Sequence, residues 1–192
     1  MENPPFPKLE ESPPAEHLPM LAFLMEINRQ CSFAKLAVED FGKERCSKDR
    51  PNHRFWYAVQ AFLIAAGNVS KLLWPTKKGN AQRGRDLRRL LEVREDSPIA
   101  PRSFRNYYEH FDEWLDRWAK DAHSYIDSHI GSRQMFGNPD PSECFRTFDP
   151  EQQTLEFQGY SYDLKIILPA IEELHLTTVA VLQNDVIGRH LI

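Results

Sequence analysis

The sequence predicts an all-α fold, a bundle of about five helices with a small β-hairpin near its C-terminal end. Three observations carry that prediction. Apolar side chains recur at threes and fours near residues 20–41, 51–73, 81–93, 104–118 and 161–182, the spacing that lines one face of a helix. Helix breakers stand between those stretches at Gly42, Trp74-Pro75, Ser97-Pro98 and Gly137-Asn138-Pro139-Asp140-Pro141. Strand-like runs are confined to 145–148 and 154–157, split by Asp149-Pro150.

Residues 1–19 carry Pro4, Pro5, Pro7, Pro13, Pro14 and Pro19, each of which removes a backbone donor and turns its predecessor away from helix, so they read as an N-terminal arm. The first helix follows, with Leu21, Leu24, Ile27, Phe33 and Leu36 inward and Gly42 as its stop. The charged run 43–50 is a connection, and Pro51 suits the first turn of a second helix. That helix turns Phe55, Val59, Phe62, Leu63, Ala66 and Leu73 inward, and Ala61, Ile64 and Ala65 widen its apolar surface. A short third helix over 81–93 buries Leu87, Leu90 and Leu91. The fourth starts after Pro101 with Phe104, Tyr107, Tyr108, Phe111, Leu115 and Trp118 on one stripe. Ser161 or Asp163 caps a last helix of about 20 residues carrying Leu164, Ile167, Ile171, Leu174, Val179 and Leu182, and Pro169 kinks it or marks its true start.

A chain of 192 residues is long enough to bury a core and reads as one helical domain, 20–192, behind its Pro-rich arm 1–19. Within it, 20–125 form the helical core and 126–192 the loop, hairpin and final helix. With 41% hydrophobic and 27% charged residues and a net charge of −4, the balance gives no general attraction for nucleic acid, so any such affinity must come from local clusters. Cys31, Cys46 and Cys144 are scattered and odd in number, which argues for a reducing compartment and against a structural metal site. The start lacks the basic and apolar runs of a signal peptide, and no run of about 18 uninterrupted apolar residues exists. The expectation is a cytoplasmic protein with no membrane partner.

The stretch around which the reading turns is Arg105-Asn106-Tyr107-Tyr108-Glu109-His110. With the aromatic stripe facing a core, Arg105, Asn106, Glu109, His110 and Glu113 occupy the outward arc. Asn106 and His110 are neighbours there, as are Arg105 and Glu109, while Arg105 and His110 flank the polar face about 140° apart. Two such helices related by a twofold axis would surround a phosphodiester with an Arg and a His from each side. Arg is a permanently charged fork for phosphate oxygens, and His titrates near neutral pH. Arg105 and His110 form the only Arg-x4-His pair in the chain.

The sextet resembles the signature of the HEPN superfamily, the higher eukaryote and prokaryote nucleotide-binding domains. The resemblance implies a HEPN-like helical bundle that pairs as a homodimer to form a metal-independent endoribonuclease site. Arg105, Asn106 and His110 would be its catalytic residues. It implies RNA as substrate, no cofactor and no metal, and a role as a toxin or defence effector with an antitoxin protein as partner. In such a site the 2′-hydroxyl attacks the adjacent phosphorus. His110 moves protons, Arg105 stabilises the crowded phosphate, and Asn106 orients the reacting groups.

Other side chains are candidates for holding RNA. Glu109 would position Arg105, and Arg102 lies one turn earlier. His53 opens the second helix beside Arg54, Trp56 and Tyr57. Arg85, Arg88 and Arg89 belong with Lys77, Lys78 and Arg83 to the densest basic cluster, and each phosphate contact they made would be weakened by salt. His123, Asp127 and His129 lack the further partner a metal site needs. A helical module that binds a nucleotide or a protein without turnover is the competing reading.

Overall fold

The computed structural model describes residues 18–44, 52–101, 110–121, 126–137, 139–140, 143–157 and 160–190. Five α-helices are present among them: α1 Leu18–Glu44, α2 His53–Leu73, α3 Ala81–Leu90, α4 Phe111–Asp121 and α5 Leu164–His190. Four strands lie between the last two helices: β1 His129–Ile130, β2 Arg146–Asp149, β3 Thr154–Phe157 and β4 Tyr160–Asp163. The fold is therefore mostly helical, as expected, but the hairpin is half of a sheet. β1 runs parallel to β2, and β2, β3 and β4 follow antiparallel in order. Two residues in β1 and the polar Tyr-Ser-Tyr-Asp run of β4 are too short or too polar to register as strands in the chain.

The longest packing seam joins α1 to α2, and α5 lies along another side of α1. Leu24, Ile27, Cys31, Ala34 and Phe41 of α1 meet Phe55, Val59, Phe62, Leu63, Ala66 and Val69 of α2 in the buried core. Helix α1 runs through Gly42 instead of stopping there, since no buried neighbour or reversed backbone is required at that glycine. Phe33 and Leu36 do not face inward as expected. They are about half exposed, because Ala34 and Ala37 take the seam positions where the helices approach closely. Helix α2 begins at His53 with Asn52 as its N-cap: Phe55 N–H donates to Asn52 Oδ1 at 2.9 Å, which removes the need for a proline start.

The sheet is two-faced because cross-strand partners share a side. Ile130, Phe148, Leu155 and Tyr162 make one transverse row, pressed against the helices through Phe148 contacts with Phe41 and Phe55. His129, Thr147, Glu156 and Ser161 make a row on the opposite face. Trp56 locks sheet to bundle: its ring meets Phe157, and its indole N–H donates to the Ser128 carbonyl at 2.9 Å. Arg146 lies over the same indole and donates twice to Asp127, at 2.6 and 3.1 Å.

Helix α3 ends at Leu90, short of residue 93, and Leu90 is exposed while Leu87 and Leu91 are buried. Gly84 on α3 sits against the end of α2, where an added Cβ would lie 2.5 Å from Pro75 Cδ and 2.7 Å from the Leu73 carbonyl oxygen. Both are stiff, so Gly84→Ala is expected to lower the melting temperature despite alanine's better helix propensity, a sign that a thermal melt reads directly.

Helix α5 starts at Leu164 behind Asp163, whose Oδ1 accepts from Lys165 N–H at 2.8 Å, choosing Asp163 over Ser161 as the cap. It is 27 residues long, not about 20, and Pro169 lies inside it. By length and composition Leu164–Asn184 is apolar enough to cross a membrane, although Lys165, Glu172, Glu173 and His175 interrupt it. Leu164, Ile167, Ile171 and Leu174 face the core, and Glu172 and Glu173 face outward.

Between α1 and α5, Glu172 accepts from Lys35 Nζ at 2.8 Å, and Lys35 Nζ also approaches His175 Nδ1 at 3.4 Å. His175 Nε2 lies 3.3 Å from Ser32 Oγ, which itself donates to the Asn28 carbonyl. This geometry favours the neutral ring, with a lone pair toward the ammonium. Partial burial lowers the His175 pKa first, Lys35 adds to the fall, and Glu172 opposes it. The unfolded ring titrates near 6.5, so below that pH the unfolded chain takes up the proton more readily than the folded one. Stability contributed by this clamp is therefore present above about pH 6.5 and is lost as pH falls toward the lower folded value. Urea midpoints measured at pH 7 and 5.5 should differ less in His175→Gln than in the parent chain.

Candidate functional site

His110 stands at the mouth of α4. Its carbonyl accepts from Trp114 N–H at 3.0 Å, which makes His110 the residue flanking the first turn, and its side chain is half exposed. The orientation is set from the other side of the helix. Phe111 packs edge-on against Phe145, Trp114 against Tyr160, and Trp118 lies tilted over Phe145 while its indole N–H donates to the Glu143 carbonyl at 3.1 Å. These three aromatics hold α4 to the sheet region and leave His110 and Glu113 at least half exposed. Leu115 is a correction: it is 38% exposed, and Trp114 takes its place in the seam, in line with Phe111 and Trp118 at i, i+3 and i+7.

Arg102, Arg105, Asn106 and Glu109 lie outside the described residues, as do the first turns expected for the motif helix. Beside His110 the structure places an acid that the sequence reading put on the polar arc without a role: Glu113 Oε1 lies 3.3 Å from His110 Nδ1. An i, i+3 spacing at a helix start was the available signal. Asp112 and Glu113 also favour the positive end of α4.

The basic cluster divides. Arg88 is a correction as an RNA ligand: its side chain is only 10% exposed, it donates to the Leu73 carbonyl, and it pairs with Glu95 at 2.6 Å. It closes the end of α2 and cannot leave without stranding that carbonyl. Arg83 lies over the Phe23 ring at 4.3 Å. Lys77, Lys78, Arg85 and Arg89 remain exposed; Arg85 donates to Gln82, and Arg89 pairs loosely with Asp86 at 3.4 Å. His53 and Arg54 are exposed at the start of α2, and Tyr57 is 75% exposed while its neighbour Trp56 is buried.

No protein-family profile, curated protein or solved structure matches this chain.

Two other arrangements carry less chemistry than their residue types suggest. Ser32, His175 and Glu172 share the outline of a nucleophile with its base, but Lys35 occupies the ring nitrogen that an orienting carboxylate would need. Cys31 is buried, and burial pushes its thiol up to about 12 despite Lys35, so it is no nucleophile. Asp127, considered above for metal, is engaged by Arg146, and His129 lies in β1, on the polar face of the sheet. Recesses of about 370 Å³ beside Arg94, Asp96, Glu173 and Thr177, and about 360 Å³ over Thr147, Asp149, Glu156 and Ser161, are lined by residues other than His110. In the first, Arg94 is committed to Asp96 through two hydrogen bonds of 2.9 and 2.7 Å.

Proposed function

We propose that this chain is a metal-independent endoribonuclease that cleaves RNA by attack of a 2′-hydroxyl on the adjacent phosphate, at a site completed by a second copy of the chain. The observation that carries the reading is His110, half exposed at the start of α4 and closing the run Arg105-Asn106-x3-His110. Phe111, Trp114 and Trp118 pack α4 onto the sheet region while the His110 imidazole stays half exposed, within reach of a substrate and of a partner helix. Arg105 supplies the permanent positive fork for a phosphate and Asn106 an amide four residues from the imidazole. Exposed Lys77, Lys78, Arg85 and Arg89 supply local positive charge in a chain of net charge −4. The HEPN-like motif also supports a toxin or defence role in the cytoplasm, with an antitoxin protein as partner.

One His110 accepts the 2′-hydroxyl proton as O2′ bonds to phosphorus, and the other copy's imidazolium gives a proton to the departing O5′. The products are a 2′,3′-cyclic phosphate and a 5′-hydroxyl. Incubation of the purified chain with single-stranded RNA, with and without excess chelator, tests this: cleavage to those ends should persist with chelator. Loss of cleavage on chelation, or ends of the opposite kind, would overturn the reading.

One observation favours a second reading, a helical interaction module without turnover. Phe33, Tyr57, Ala61 and Ile64 line an apolar groove between α1 and α2, with Phe33, Tyr57 and Ile64 exposed. On that reading, substitutions in this groove abolish partner binding while changes at Arg105 and His110 are silent.

A further inference from the structure

His110 and Glu113 occupy the N-cap and N3 positions of α4, the pair of positions at which a glutamate commonly reaches back toward the helix start. Here the carboxylate meets the ring: Glu113 Oε1 lies 3.3 Å from Nδ1, and both side chains are at least half exposed. An ionised carboxylate only accepts hydrogen bonds. A neutral imidazole facing it therefore carries its proton on Nδ1 and presents the Nε2 lone pair outward.

We infer that Glu113 is a positioning residue for His110, fixing the Nδ1–H tautomer so that Nε2 is the atom that takes the 2′-hydroxyl proton. This rests on the ribonuclease reading above. In the step itself, the O2′–H proton moves to Nε2, the O2′–P bond forms, the P–O5′ bond breaks, and O5′ leaves with a proton from the second copy's protonated His110. Glu113 exchanges no proton; it keeps the ring in place and, across Nδ1–H, faces the positive charge that the ring acquires when Nε2 is protonated. The neighbouring acid Asp112 is also exposed on the first turn, but it is not the group in contact with the ring.

The tautomer is visible without RNA. Long-range proton–nitrogen spectra of the full chain, recorded where the ring is neutral and assigned through the signal lost in His110→Ala, distinguish a bare Nε2 from a bare Nδ1. The expected result is a bare Nε2 in the parent chain, a shift toward Nε2–H in Glu113→Ala, and retention of the parent pattern in Glu113→Gln, whose amide oxygen still accepts. Turnover in Glu113→Ala should fall on the order of tenfold, with KM unchanged and restored by Glu113→Gln. A parent ring protonated on Nε2, or a ring indifferent to Glu113→Ala, overturns the inference whether or not RNA is cut. A ring that switches as expected in a chain that cuts no RNA overturns the ribonuclease reading and with it the role of Glu113 in that reaction.

Discussion

His110→Ala is expected to lower the rate of RNA cleavage by roughly 10²–10⁴, the range for a positioned proton-transfer group. Arg105→Ala should cost on the order of 10²–10³, because a charge aimed at the transition-state phosphate is lost. The two should not add, since each loss leaves the same reaction without part of a single unit. His110→Ala should leave the fold intact: the side chain is half exposed, and its exchange leaves the Phe111, Trp114 and Trp118 contacts in place. The measurement is initial cleavage rate against one RNA at fixed salt, paired with a thermal melt of each variant. Unchanged melting with near-complete loss of cleavage is the expected pattern. Full activity in both variants would remove the basis for the ribonuclease reading.

Phe55→Ala is expected to have the largest effect on stability, roughly 3–5 kcal/mol, as for truncation of a fully buried phenylalanine. Phe55 is fully buried where three elements meet, touching Phe41 of α1 at 6.0 Å, its own neighbour Trp56 at 5.2 Å and Phe148 of β2 at 5.1 Å between ring centroids. The void left by its ring would lie between stiff aromatics, so the site cannot collapse to refill it. In a domain of this size the loss corresponds to a fall on the order of 10 °C in melting temperature. Phe33→Ala, on the exposed side of α1, is the control and should change stability little.

The helical part of the fold was largely legible because its signal is local. A stripe repeated over six or seven turns, as in α1 and α2, survives individual misassignments such as Phe33 and Leu36. The sheet was less legible for two reasons: His129 finds Thr147 in a distant segment that no short window contains, and β4, although Ser161 pairs with nearby Glu156, is too polar to read as a strand. At the candidate site, spacing put His110 on an outward arc, and its side chain is half exposed. Spacing did not single out Glu113 as the residue that meets its ring, since Asn106, four residues before His110, offered an equally good partner. Arg88 shows the limit of charge counting: a basic residue reads the same in sequence whether it meets solvent or a buried carbonyl.

The sheet's margins bear on how copies of this chain can associate. Its outer strands are two and four residues long, and β4 ends in the charged Asp163, already engaged in capping α5. Margins that brief give a neighbouring molecule few backbone groups to zip onto, which guards against ribbon-like aggregates. The twofold pairing proposed above would then have to use helices, with the exposed side chains of α4 at the contact.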